Sequence, residues 1–160
     1  KLVERLFKDD LYQKNVGIRT LSKKSRGFEY NSYHNGSIWP HDNSMIAEGL
    51  ENFGFYKQAL ELNNAIVRAI SFFKTPVELF AYEQSYVPYV SSSGQTACQT
   101  QAWSAAALLR SIDYLALSEK SVFSPEGRAF RQKLNLLISF PRIQLTSIFS
   151  FREKYPFFQK

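Results

Sequence analysis

Apolar residues recur at helical spacing in three stretches of the chain. Met45, Ile46, Gly49, Leu50 and Phe53 line one face of a segment over 43–53. Ala59, Leu60, Ile66, Val67, Ile70 and Phe73 line a face of 56–73. Only a very short turn separates these two segments. It contains Gly54, which can take the left-handed conformation that ends a helix. The pattern therefore predicts a helical hairpin. A third helix is expected from Thr100 to Leu117, where Ala102, Trp103, Ala105, Ala106, Ala107, Leu108, Leu109, Ile112 and Leu115 are apolar nearly all round. Such a helix is expected to be buried among others. Leu2, Val3, Leu6 and Phe7 make a short amphipathic helix ending near Asp9, and Ser124-Pro125-Glu126 reads as a further helix start.

The polar stretches divide these elements. Gly17 to Leu21 reads as extended or irregular, and Ser22 to Arg26 as exposed loop. Asp42 or Asn43 is placed to cap the helix that follows. Residues 75–98 hold two prolines, four serines and Gly94, so a long structured loop is expected there. Loops of that length in a domain tend to be functional. From Leu134 the pattern changes: Leu134, Leu136, Ile138 and Phe140 alternate, and the chain beyond reads as one or two strands or an irregular tail. No fixed-period repeat is found. The fold class is all-α with a short β tail.

Composition narrows the function. The 160 residues suit one domain, and a hydrophobic share of 44% is enough for a sizeable core. The net charge of +6 comes from scattered Lys and Arg, with one small cluster at Lys23, Lys24 and Arg26. Nucleic-acid surfaces need a basic stripe or patch, so no nucleic-acid partner is expected. Cys98 stands alone, which excludes an intrachain disulfide, and reads as a small buried apolar residue. No apolar run approaches a membrane span. Glu4, Asp9 and Asp10 around the first apolar run are unlike a signal peptide, so a cytoplasmic protein is expected.

The residues richest in chemistry lie in Tyr30–Asn43, Y-N-S-Y-H-N-G-S-I-W-P-H-D-N. Two His, two Tyr, a Trp, an Asp and three Asn stand there, immediately before the first long helix. That is poor core material and good material for a binding surface held by a scaffold. His34 and His41 have no third ligand at fitting spacing, so neither a metal nor another cofactor is expected.

Five segments in order carry a family resemblance. They are Gly17-Ile18-Arg19-Thr20-Leu21, Tyr33-His34-Asn35-Gly36-Ser37-Ile38-Trp39-Pro40-His41-Asp42-Asn43, Glu78-Leu79-Phe80, Pro88-Tyr89 and Ala97-Cys98-Gln99-Thr100-Gln101-Ala102-Trp103. Together they resemble the C-terminal part of the amylo-α-1,6-glucosidase, or glycogen debranching enzyme, family over residues 1–137, with 138–160 a divergent tail. The resemblance implies helical hairpins forming part of an (α/α)6 toroid. It also implies inverting hydrolysis of α-glucan or a related oligosaccharide. The chain would supply about half of such a toroid, so another chain completing it is an expected partner.

Inversion needs an acid for the leaving oxygen and a carboxylate base for water. Glu78 matches the position that the resemblance implies for the base, with Glu83 second to it. No segment matches the position of the acid. Trp39, with Tyr33 and Trp103 behind it, fits an apolar platform for a sugar ring. His34, Asp42 and Gln101 fit hydroxyl recognition, and Gly36 fits close backbone approach. Arg19 could brace a cleft carboxylate or make a structural salt bridge. The alternatives are a non-catalytic carbohydrate-binding or scaffold fragment of the same fold, and an unrelated basic helical binding module.

Overall fold

The computed structural model describes residues 1–120, of which Lys1–Ser118 form one unit. The helix start at Ser124 and the tail after Leu134 lie outside the described residues. The elements run α1 (Leu2–Leu6), β1 (Tyr12–Gln13), β2 (Gly17–Ile18), α2 (Pro40–Asn52), α3 (Tyr56–Phe73), β3 (Phe80–Tyr82), β4 (Tyr86–Pro88) and α4 (Ala102–Lys120). The described part is thus mostly helical, with two small β-hairpins. Strands β1 and β2 pair antiparallel, with Tyr12 opposite Ile18, and β3 pairs β4, with Ala81 opposite Val87.

The predicted hairpin is α2 and α3. Gly54 ends α2 with φ +80°, its N–H reaching Glu51 O at 3.0 Å while Phe55 N–H reaches Leu50 O at 2.8 Å. These two reversed bonds satisfy carbonyls that the helix leaves open, and they turn the chain directly into α3. Ala47 and Leu50 of α2 then meet Ala59 and Leu62 of α3, with Ile18 of β2 in the same core cluster. Helix α4 packs on α3 through Ala107 and Leu108, which meet Ile66 and Ile70. Arg110 of α4 grips Glu51 of α2 in a two-pronged ion pair, at 3.2 and 2.7 Å, and Asn63 of α3 donates to the same carboxylate at 3.2 Å.

Four expectations change. Helix α2 begins at Pro40 with Trp39 at its cap position, so neither Asp42 nor Asn43 caps it. Proline suits the first helical position because the N–H it lacks has no helical partner there. The long loop holds the β3–β4 hairpin. Helix α4 is not buried all round: Trp103 is 57% exposed, Leu109 62% and Leu117 54%. Cys98 is exposed rather than buried.

Asn43 has a different task. It is buried, its Oδ1 accepts from Ile18 N–H at 2.7 Å, and its Nδ2 donates to Ile18 O at 3.1 Å and Trp39 O at 2.9 Å. One side chain thereby locks the β1–β2 hairpin to the start of α2. Gly17, at φ +136°, makes room for it, because a Cβ there would stand 2.9 Å from Asn43 Oδ1.

Candidate active site

The aromatic loop and the long loop are tied together by backbone. Ile38 N–H donates to Phe80 O at 2.9 Å, and Phe80 N–H returns to Ile38 O at 3.0 Å. This bridge sets Tyr33–Trp39 beside the residues that precede β3. Glu78 lies two residues before Phe80, between buried Val77 and Leu79. Its alternating neighbours face the core, so its own side chain faces the aromatic loop.

Three donors converge on the Glu78 carboxylate. Tyr33 OH donates to Oε1 at 2.7 Å, and Gln101 Nε2 donates to the same oxygen at 3.0 Å. Oε2 accepts from Cys98 N–H at 3.0 Å. The Glu78 backbone N–H donates in turn to Cys98 O at 2.9 Å. The bond to the carboxylate, with burial behind it, pushes the Tyr33 phenol up to about 12. The amide of Gln101 has one sensible orientation, since a flip would set two acceptor oxygens face to face.

Tyr33 also joins the carboxylate to the aromatic wall. Its ring meets Trp39 edge-on at 4.9 Å, Tyr89 at 5.6 Å and His34 at 4.7 Å. His34 is exposed and lies nearly parallel to Trp39, at 6.4 Å and 10°. Trp39 is half-buried against Leu79, Tyr89 and Ala97, with its indole N–H donating to Tyr33 O at 3.2 Å and Ser37 Oγ at 3.1 Å. Edge-to-face contacts of this kind each add about 0.5–1.5 kcal/mol beyond area burial. The wall is therefore stiff before any ligand arrives.

The other sequence-predicted residues fall in different places. Asp42 lies in the first turn of α2 and is solvent-exposed as a residue; protein packed around its carboxyl still raises its pKa, with the nearby His41 opposing. Trp103 sits at the start of α4, its ring tilted against His41 at 4.8 Å. Gly36 is buried, and a Cβ there would stand 2.3 Å from Glu29 O, so its missing side chain serves the loop's own fold. Glu83 is exposed at the β3–β4 turn. Among the described residues Arg19 pairs with no carboxylate. It is buried and donates to Gly36 O at 3.2 Å and Tyr82 O at 2.8 Å, with its guanidinium 5.8 Å from the Phe28 ring centre. It clamps the aromatic loop to β3 through backbone carbonyls, where a salt bridge or a cleft role was expected. Tyr33 as the partner of Glu78, and the Cys98 amide, were not legible from spacing, because 45 and 20 residues separate them from that carboxylate.

Among the described residues no three His, Cys, Asp or Glu gather as metal ligands, and no helix is long and apolar enough to cross a membrane. An apolar groove between α1 and the end of α2, lined by Leu2, Leu6, Ile46, Phe53 and Phe55, does not include Glu78.

The family model that matches is the mannosylglycerate hydrolase MGH1-like glycoside hydrolase domain, over residues 1–107. The chain belongs to this family. The matched span contains Glu78, all three of its donors, Trp39 and Trp103. The family is thus of glycoside hydrolases, as the motif segments implied, but it is the MGH1-like one rather than the debranching enzymes in particular. No curated protein matches the chain.

Proposed function

We propose that this chain carries the base half of an inverting glycoside hydrolase site, with Glu78 as general base and the Tyr33–Trp39 wall beside it. The observation that carries this reading is the fixing of one carboxylate by three donors next to an aromatic face. Glu78 takes a proton from water as the water oxygen attacks the anomeric carbon. The glycosidic C–O bond breaks, and the leaving oxygen takes a proton from a second carboxyl group. In inverting enzymes the two carboxyls stand ~6.5–9.5 Å apart, which leaves room for the water. The acid comes from outside the Glu78 cluster, and a further helical hairpin of an (α/α)6 toroid, on this or another chain, supplies it.

Two substrate types follow from different observations. The family match favours a mannosylglycerate-type glycoside. The five motif segments favour α-glucan. This chain alone is expected not to complete the reaction, so the test adds the part of the toroid that supplies the acid. The completed protein is incubated with mannosylglycerate and with maltotriose, and NMR identifies the anomer first released. The expected outcome is inversion, with Glu78→Gln slowing release by about a hundred- to ten-thousand-fold. Retention, or release indifferent to Glu78→Gln, refutes the reading. Sugar binding without release assigns the chain to the non-catalytic, carbohydrate-binding alternative.

A further inference from the structure

Trp103 and His41 form an aromatic pair that the base and its wall do not use. The pair bridges the starts of two helices, since His41 lies in the first turn of α2 and Trp103 is the second residue of α4. Covalent and hydrogen-bonded links tie it to Glu78. From Glu78, one path runs through Tyr33 to Trp39, two residues before His41. The other runs through Gln101, two residues before Trp103. Contact between His41 and Trp103 closes the circuit. Two of the three donors to Glu78 therefore each lead to an indole, Tyr33 by ring contact to Trp39 and Gln101 by two residues of chain to Trp103.

Exposure alone decides nothing here, because Leu109 and Leu117 further along α4 are exposed too. What singles out Trp103 is position and support. It stands at the helix end beside the residue that holds the base, and a second ring backs it. A large flat apolar surface, 57% open to water and propped on its neighbour, matches the C–H face of a pyranose ring.

We propose that the Trp103–His41 pair is a second sugar platform, and that it receives the ring on the far side of the scissile bond from Trp39. This inference rests on the glycosidase reading and deepens it. It assigns the substrate to molecules with at least two pyranose rings, since an acyclic acid such as glycerate offers no ring face to stack.

The chain's only two tryptophans are these two indoles, so each can be followed separately. Trp39→Phe leaves Trp103 as the sole emitter, and Trp103→Phe leaves Trp39. Each variant, with its fold checked by circular dichroism, is titrated with maltotriose, mannotriose, glucose and mannose. One of the trisaccharides is expected to change the Trp103 emission saturably, and the matching monosaccharide to change only that of Trp39. By calorimetry, Trp103→Ala is expected to weaken trisaccharide binding about tenfold, with monosaccharide binding within about twofold of the wild type. A trisaccharide that binds and moves Trp39 but leaves Trp103 emission and Trp103→Ala affinity unchanged overturns this inference alone. If no sugar moves either indole, the glycosidase reading falls with it. A Trp103 emission that shifts with protein concentration, without sugar, gives the face to a second copy of the chain and also overturns the inference.

Discussion

At the scale of single residues, the informative atoms are those that a carboxylate and a glycine force into place. The Tyr33 hydroxyl is raised to about 12 chiefly because it donates to Glu78. A phenol raised in the folded state stabilises the fold below its unfolded pKa. That contribution disappears as pH climbs from about 10, the ordinary tyrosine value, to about 12. Glu78→Gln removes the charge, so the Tyr33 titration is expected to fall back toward the ordinary value. Tyrosinate absorbance, compared between the wild type and Tyr33→Phe, reads it directly; an unmoved titration would show that the phenol answers to something else. Asn43 offers the companion case on stability. Gly17→Ala forces a side chain against Asn43 Oδ1 at a φ that side chains resist, and a loss of about 2 kcal/mol or more is expected in urea unfolding. Asn43→Ala is expected to match it, and the double variant to cost little more than either, because both break one lock.

At the scale of elements, the α2–α3 hairpin follows from spacing plus Gly54. Gly54→Ala puts a Cβ into a left-handed turn and is expected to cost about 1 kcal/mol by the same measurement, with the helical signal otherwise retained. The third helix joins this hairpin through charge as well as packing. Arg110 binds Glu51 by two bonds, and both partners are largely shielded from water. A double-mutant cycle on Arg110→Met and Glu51→Gln is expected to give a coupling of about 1 kcal/mol or more, above that of exposed pairs. Zero coupling would reduce the pair to decoration on apolar packing. The β3–β4 hairpin is the element that spacing conceals. Its strands are three residues each and β4 ends in Pro88, so alternation has no length in which to show. Trp39 hides the start of α2 for a related reason: it is not a capping residue type, and its neighbour Pro40 was the better signal.

At the scale of the molecule, the sequence pattern was sound where packing obeys a period and blind where contacts are long-range. The helical hairpin and the third helix were legible, and so, only as a candidate and only through the motif segments, was the carboxylate at position 78. The partners of that carboxylate were not, because Tyr33 and the Cys98 amide lie 45 and 20 residues from it along the chain and meet it only through tertiary contacts. Cys98 looked like core because the type is so often buried, yet its backbone is what matters and its thiol faces outward. The exposed apolar residues make a further whole-molecule feature. Phe53, at 82% exposure, and Leu2, at 74%, border the groove beside α1. Contiguous apolar surface of that kind binds hydrophobic dyes. The native protein is expected to enhance anilinonaphthalene sulfonate emission, and Phe53→Ser together with Leu2→Ser to remove most of it without altering the unfolding midpoint.

The staples on either side of position 78 carry a consequence for how such proteins diversify. Thr75 holds Gln99 O at 2.6 Å, Gln101 N–H holds Pro76 O at 2.9 Å, and Glu78 and Cys98 exchange bonds in both directions. The excursion that leaves after Leu79 and returns before Cys98 is therefore cinched at its neck. Insertions or deletions at its tip can reshape the surface beside the aromatic loop while the anchored carboxylate stays where it is, so that under the proposed reading selectivity and reactivity are free to drift independently.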